Sequence, residues 1–549
     1  MSTLLAQILY NRGFEDPAEA RRFLVAKNVC GNCFTMKDMS KAVSRLRQAI
    51  KQREPIIVYG DFDADGVTST VLLVQVLQAL NAVVKPYIPH RVDEGYGLNS
   101  EALLKLARAG AKVVITVDCG IRSVQEVEDG KAAGLDIIIT DHHSIGPEIP
   151  DAYAVINPKQ EDCKYPEDML AGVGVAYKVA EALLTVAGRM DRQPPNLIVE
   201  DLLDLVALGT VADLAPLNRA ENRELVRRGL EVLNEARRPG IRALMQVAGI
   251  EKGKVNAMSI GFALAPRINA AGRLESAMIA YNLLSATDPL QAQKLAEQVH
   301  TLNTQRQDIT REAQYLIRSR IEEAHEQNLP LIFASDSSFR PGIVGLVAGR
   351  LTEEFYRPTI VMELGDKESR ASCRSIPQFD ITRALDECAD LLVRHGGHAQ
   401  AAGFTILNQN IPIFKERLMQ IAYDQLDGQE LIPTLEIDVE ADINQLSEEL
   451  VEEIEWLEPT GHANPTPVFM TRNVYALERR VVGKEGQHLK LKLARAGRPP
   501  LDAIGFGLGA WASSMPERID VAYQLEINEW NGHRSLQLNL QDLRPAGDD

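Results

Sequence analysis

Positive charge is what this chain has least of relative to its acids. Across 549 residues, 59 lysines and arginines face 76 aspartates and glutamates, a formal net charge of −17. Its bulk field would repel a polyanion, so nucleic-acid binding would have to rest on local basic patches. No run of about eighteen apolar residues is present, which excludes a membrane-spanning helix. The start, Met1-Ser2-Thr3-Leu4-Leu5-Ala6, lacks a charged segment followed by a long apolar stretch, so no export is expected. Cysteine is sparse as well. Cys30 and Cys33 form a CGNC pair, but no second CxxC completes a zinc site, and the other four are scattered. All six are expected to be reduced thiols in a cytoplasmic protein. The length calls for about three domains.

What is present is acid in particular places. Ile56-Ile57-Val58-Tyr59 is an apolar run that suits a strand buried on both faces, and it leads into Gly60-Asp61-Phe62-Asp63-Ala64-Asp65-Gly66. Three carboxylates this close repel one another, which favours a divalent cation among them. A solvated acidic turn is the alternative. Val113–Val117 is a second such run and ends in Asp118-Cys119-Gly120. Asp136–Thr140 is a third and ends in Asp141-His142-His143. The apolar stretch Leu202–Leu208, read in the same way, leads into Gly209-Thr210-Val211-Ala212-Asp213. In open α/β sheets ligands gather beyond the carboxyl ends of the strands, so these segments predict one shared site.

The ordered set DFDADG, TVDCG, TDHH and GTVAD resembles the DHH phosphoesterase superfamily. With the motifs below, it resembles the RecJ branch of single-strand-specific 5′-to-3′ DNA exonucleases. The resemblance implies two cations, Mn²⁺ or Mg²⁺, per active site. Asp118 would bridge them, Asp63 and Asp61 would serve one, and Asp65, His142 and Asp213 the other. His143 would contact phosphate or leaving group. One imidazole among carboxylates shifts the preference from Mg²⁺ toward Mn²⁺.

Substrate contacts are expected from several segments. His90 and Arg91 follow the strand-like Val83–Pro89; Arg91 suits a phosphate, and Tyr96 suits either base stacking or plain packing. Arg267 and Arg273 flank a small-residue turn that the family carries in its cleft, although either arginine could pair with surface acid instead. Ser338-Phe339-Arg340-Pro341-Gly342 and Gly396-Gly397-His398-Ala399 resemble the DHHA1 domain. By that resemblance Ser338 and Arg340 would take a terminal 5′-phosphate, and Gly396, Gly397 and His398 would line the strand.

The expected fold is α/β, in six parts. Residues 1–50 form a helical segment, with Asp16 as N-cap and Pro17 in the first turn. Residues 51–285 form the parallel-sheet DHH core. A long helix from Pro289 to Asn328, within 286–328, connects to a smaller α/β DHHA1 lobe at 329–426. An acidic linker follows at 427–464, almost free of basic residues between Glu430 and Glu458; it is a solvated face, a partner patch or a guard against duplex. From 465 to 549 the strict alternation of His488–Leu493 and Ser535–Leu540, with the hairpin signal Trp530-Asn531-Gly532-His533, predicts an antiparallel β-domain with one apolar face; length and the RecJ resemblance imply that it is an OB-like barrel. Its basic face would be Lys484, Lys490, Lys492, Arg495 and Arg498.

The implied activity is metal-dependent hydrolysis of single-stranded DNA from a 5′-phosphorylated end, in repair and recombination. A single-strand-binding protein or a helicase is the candidate protein partner. The alternatives are a DHH-family phosphodiesterase acting on short oligonucleotides or other small phosphates, and a binding protein that has lost catalysis.

Overall fold

Five parallel strands form the first sheet, in the order β2-β1-β3-β4-β5. They are β1 Ile56–Gly60, β2 Val84–Tyr87, β3 Val113–Val117, β4 Asp136–Thr140 and β5 Ala154–Ile156. In this computed structural model the described residues are all but 92, 191–195, 324–328, 485, 496–498, 531–532 and 548–549. β1 and β3 are buried along their whole length, which is why they read as unbroken apolar runs. Alternate side chains serve opposite cores. Val58, Ile115 and Ile138 pack with helices Ala64–Ala79 and Gly172–Met190, while Ile57, Val114 and Ile137 pack with Leu103 and Val127 on the other face.

One expected strand is a helix. Leu203–Ala212 is helical, buried from Leu203 to Val211, and packed against helices Ala64–Ala79, Gly172–Met190 and Ala220–Glu235. A helix buried on every side has no polar stripe, so its sequence carries no 3.6-residue signal and reads like a central strand.

The connecting helix spans Pro289–Glu323 and, at 1.5 Å per residue, is about 50 Å long. The expected stretch to Asn328 lies outside the described residues. Ala292, Ala296, Val299 and Leu302 belong to the first core, whereas Ala313, Ile317 and Ile321 pack in the second lobe. The second sheet runs β6-β7-β8-β10-β9, with β6 Ile332–Asp336, β7 Thr359–Glu363, β8 Glu368–Arg374, β9 Leu392–His398 and β10 Ala401–Leu407. Only β6 and β7 pair in parallel.

The C-terminal sheet closes on itself. After the short β11 Val439–Glu440 come β12 Phe469–Val482, β13 His488–Ala494, β14 Leu501–Gly505, β15 Arg518–Trp530 and β16 His533–Pro545. β12 pairs with both β13 and β15, and the ring is completed through β14 and β16. The β14–β16 pairing is parallel, not antiparallel as the alternating pattern implied. An odd number of strands around a closed ring cannot alternate direction throughout. The Asn531-Gly532 turn lies outside the described residues, but Trp530 pairs with His533 in the antiparallel register expected of its hairpin.

Two expected boundaries are crossed by the packing. Asp16 does cap its helix, accepting from the Ala18 N–H at 2.9 Å. Helices Thr3–Asn11 and Pro17–Val25 do not stand with the rest of residues 1–50, however; Leu5, Ile8 and Phe23 enter the C-terminal core, while Met39, Val43 and Leu46 of helix Met39–Gln52 enter the first. The acidic tract is not a spacer from Val439 onward. Val439, Ile443, Leu450, Ile454 and Leu457 are buried in the C-terminal core, and the carboxylates between them face outward. The fully buried Arg223 guanidinium joins these parts, donating to the carbonyls of Phe23, Trp456, Leu457 and Glu458 at 2.7–2.8 Å.

Candidate active site and metal centre

The ends of β1, β3 and β4 bring the expected acids together. Asp63 caps helix Ala64–Ala79, accepting from the Asp65 and Gly66 N–H groups at 3.0 Å. Asp65, within the first turn, accepts from Gly172 N–H at 2.7 Å and Val173 N–H at 2.8 Å, at the start of helix Gly172–Met190. Asp118 follows β3 with φ +62, a left-handed conformation that costs a non-glycine residue energy and is retained mainly at functional sites. Gly172 is dictated by this crowding, since a Cβ there would lie 2.6 Å from the Asp118 Cβ.

Ligand-capable atoms converge in three sets, each within 4.8 Å: Asp61, Asp63 and Asp118; Asp65, His142 and Asp213; and Asp118, His142 and His143. His142 Nε2 lies 3.1 Å from Asp118 Oδ1 and 3.7 Å from Asp213 Oδ2. The alignment makes no hydrogen bond, and Asp61 Oδ1, Asp118 Oδ1 and His142 Nε2 are buried polar atoms without a protein partner. Buried polar atoms in proteins normally have partners. Asp118 Oδ1 faces His142 Nε2, and Asp61 shares a set with Asp118; hard oxygens with an imidazole fit Mn²⁺ or Mg²⁺.

The electrostatics agree. Burial, then repulsion from neighbouring carboxylates, raises Asp61 and Asp118 well above the usual carboxyl range, Asp65 to about 7 and Asp213 to about 9. Burial, with the adjacent His143, pushes His142 down to about 3, so its imidazole is neutral and its lone pair available. His143 is the opposite case. Burial works against its charge, but a 2.7 Å contact with Asp141 Oδ1 holds it above the ordinary histidine value.

Asp141 is a residue the sequence reading passed over. Fully buried, it accepts from the N–H groups of Ile121, His142 and His143 at 2.7–3.1 Å and so sets both imidazoles. Its place in the TDHH motif was the available signal. Asn269 is another: its Oδ1 takes the Ala64 N–H at 2.7 Å, tying the acidic loop to the segment between Arg267 and Arg273.

The expected substrate residues divide. The Arg91 guanidinium lies 4.4 Å over the Phe62 ring and is within electrostatic reach of Asp61 and Asp63. The Tyr96 hydroxyl is 3.1 Å from His143 Nδ1. His398, from the second lobe, joins Tyr96, Gly120, Arg122, Asp141 and His143 around a cleft of about 340 Å³. Arg273 donates to the Gly342 carbonyl across the lobes at 3.0 Å; burial and the charges of Arg91 and Arg306 push it down to about 9. Arg306 and Arg374, which sequence reading also missed, stand in the same crowd of guanidiniums, and Arg306 Nε is buried without a partner.

Others stay apart from the acids. His90 turns to Asp93 at 2.8 Å. Arg267 bonds the Ala263 carbonyl at 2.7 Å and faces His300 at 3.2 Å. Ser338 donates to Asp336 at 2.7 Å, and Arg340 is exposed beside it. Gly396 and Gly397 lie in β9, where a Cβ on Gly397 would sit 2.4 Å from the Ala401 carbonyl oxygen. In the C-terminal domain the expected basic face is partly neutralised: Lys492 pairs with Glu478 at 3.8 Å and Arg495 with Asp442 at 3.1 Å. Arg498 lies outside the described residues.

Family models match three segments: the DHH family N-terminal domain over residues 55–210, the DHHA1 domain over 328–424 and the RecJ OB domain over 437–542. The single-stranded-DNA-specific exonuclease RecJ of Dickeya dadantii is 38% identical, covering 92% of this chain and 90% of the relative. The chain belongs to the RecJ family. The RecJ of Bacillus subtilis is 39% identical across 99% of this chain and 68% of its own length. The crystal structure of Thermus thermophilus RecJ in complex with Mn²⁺ superposes with a TM-score of 0.81 at 31% identity, covering 99% of this chain and 76% of that one. A second structure of that protein is a complex with Mg²⁺. RecJ family membership thus accounts for the three sheets and their order. Among the described residues no helix is long and apolar enough to cross a membrane.

Proposed function

We propose that this RecJ-family chain is a metal-dependent exonuclease that hydrolyses single-stranded DNA from its 5′ end in the cytoplasm. The observation that carries the reading is the facing pair of buried, partnerless atoms Asp118 Oδ1 and His142 Nε2, with partnerless Asp61 Oδ1 in the adjoining set, inside a cluster that Asp63, Asp65 and Asp213 complete.

Asp61 and Asp63 with Asp118 would hold one cation, and Asp65, His142 and Asp213 with Asp118 the other. The two cations would supply the Lewis acidity that activates water near neutral pH and offsets charge on the scissile phosphate. Residues of the chain do the remainder. His143, whose proton affinity Asp141 raises, lines the cleft, where a protonated imidazole would meet the negative charge that builds on the phosphate and the leaving oxygen. Tyr96 beside it packs or orients the terminal nucleotide. Arg91 and Arg273, both close to Asp63, favour a phosphate at the acids and counter their repulsion of the substrate.

Ser338 and Arg340 are assigned the terminal 5′-phosphate, with Arg374 and Arg306 adding charge to that side of the cleft. Support comes from the Arg273–Gly342 bond, which links the Arg340-Pro341-Gly342 turn to the first lobe. His398, Gly396 and Gly397 would flank the strand. An enzyme confined to single strands depends on a reaction that opens duplex, so a helicase or a single-strand-binding protein is the fitting partner.

The test is degradation of end-labelled single strands, with and without a 5′-phosphate, in Mn²⁺, in Mg²⁺ and in chelator. Release of 5′-terminal nucleotides that needs metal, and that Asp118→Asn abolishes, is the expected result. Release from the 3′ end first would overturn the polarity, and turnover in chelator would overturn the metal centre.

A further inference from the structure

The strand order of the first sheet lays the site out along a line. Arg91 and Tyr96 follow β2 at one edge, the acids and His142 follow β1, β3 and β4, and β5 closes the other edge. Beyond the carboxyl end of β5 comes Asn157-Pro158-Lys159. The backbone there is held tightly. Buried Asn157 donates to the His143 carbonyl at 3.0 Å and accepts from the Lys159 N–H at 2.9 Å. Gln160, also buried, donates to the Val155 carbonyl at 2.8 Å. The Lys159 side chain is the exception. Half-buried, it makes no hydrogen bond or ion pair among the described residues. Asp213, Asp168 and Asp141 attract its charge from beyond ion-pair distance, and burial still holds the ammonium below the ordinary lysine value. A cation placed so costs stability until an anion meets it.

The neighbouring wall carries a second unsatisfied feature. Asp213 ends helix Leu203–Ala212, and Leu214 follows it. The helix closes through the Leu214 N–H on the Val211 carbonyl and the Ala215 N–H on the Thr210 carbonyl, both at 3.2 Å, with Leu214 at φ +57. This left-handed position suits glycine, and a leucine in it is strained. Packing does not compensate, because Leu214 is 65% exposed. Strain of this kind beside a metal-site aspartate points to a contact made outside the protein.

We infer that Lys159 and Leu214 hold the nucleotide on the 3′ side of the scissile bond, the first of the retained strand. Lys159 Nζ takes the phosphate between the second and third nucleotides, and Leu214 packs on the sugar of the second. The inference rests on the 5′-end reading above and deepens it. A strand with its terminal nucleotide at the β2 edge and its scissile phosphate at the acids leaves toward β5. A point charge on a flexible stem suits a phosphate that shifts as the strand advances. Neither contact reads a base edge, so the subsite is indifferent to sequence.

The test is the single-turnover rate of the first cleavage by the full chain in Mn²⁺, on two 5′-phosphorylated oligothymidylates. One is natural; the other carries a neutral methylphosphonate in place of the phosphate between the second and third nucleotides. The parent is expected to cleave the neutral-linkage strand about tenfold more slowly. Lys159→Ala should be about tenfold slower on the natural strand and treat the two strands alike, whereas Lys159→Arg keeps the parent's preference. Mn²⁺ affinity, read by calorimetry, should not fall in Lys159→Ala, because the change removes a positive charge from beside the acids. Losses that multiply between variant and linkage, or an alanine variant as fast as the parent, would overturn the Lys159 contact and leave the 5′-end reading intact. Leu214→Gly should slow the first cleavage about fivefold while its unfolding temperature in chelator equals or exceeds the parent's. A lower unfolding temperature with unchanged cleavage would make Leu214 a helix cap alone and overturn its part. A parent chain that releases nucleotides from the 3′ end would overturn the 5′-end reading and the subsite together.

Discussion

The two lobes that face each other across the cleft hold their polar residues in different ways. In the first lobe nearly every site side chain is over-determined. Asp65 is gripped by two backbone N–H groups, Asp141 by three, Asp118 is strained, and glycines at 172 and 209 leave no room for movement. In the second lobe Ser338, Arg340 and His398 are exposed and lightly partnered. Chemistry at a phosphate needs fixed charges, because displacement of even an ångström is expensive. Gripping a flexible strand needs reach. The contrast implies that substitutions in the first lobe act on turnover and those in the second on binding and choice of end.

The largest expected effect is that of Asp118→Asn, about a thousandfold or more in kcat, with a folded protein. It breaks the comparison if kcat survives and KM rises instead. Next is Gly172→Ala. The added methyl must displace Asp118 or the start of helix Gly172–Met190, and a loss of about a hundredfold in kcat is expected. Cation affinity, read by isothermal titration, should fall with it. A variant with ordinary cation binding and ordinary turnover would show that the first lobe is softer than its packing implies.

Arg340→Ala should leave kcat close to that of the parent on a 5′-hydroxyl strand and erase the preference for a 5′-phosphate, raising KM for that substrate about tenfold. Equal losses on both ends would move Arg340 elsewhere along the strand.

A smaller effect sharpens the electrostatic side of the comparison. Asp65 and Asp213 have native values of about 7 and about 9, above the unfolded aspartate value of about 3.9. A carboxyl raised on folding binds its proton more tightly in the native state, so stability is greatest below the unfolded value and falls as pH rises toward the native one. In chelator, the unfolding temperature is expected to drop between about pH 5 and about pH 8. Saturating Mn²⁺ should reverse the drop at the upper end. A flat profile in chelator would mean that the acids are not in conflict.

Much of the first lobe was legible in the chain. Short apolar runs that end in Asp or His encode buried parallel strands and a site at their carboxyl ends, because burial on both faces is written in consecutive residues. That pattern placed Asp61, Asp63, Asp65, Asp118, His142, His143 and Asp213 in one cluster before any coordinate. The alternation along β13 and β16 and the Asn531-Gly532 turn signal likewise announced a β-domain with one apolar face, and its closure into a barrel was implied by length and family resemblance.

What only the tertiary structure decided is what depends on partners distant in sequence. Leu203–Ala212 became a helix because helices pack all round it, and total burial removes the periodicity that would name it. Helices Thr3–Asn11 and Pro17–Val25 joined a core built more than four hundred residues later, through the buried Arg223 and the carbonyls of Trp456, Leu457 and Glu458. Asp141 became the support of two histidines because its carboxyl turns back onto its own backbone and Ile121. Strand register sets Lys492 opposite Glu478, where it is cancelled, and Arg480 opposite Lys490, which pair with no carboxylate among the described residues. Local sequence records burial and backbone preference. Pairing of charge across the fold is recorded only in the assembled geometry.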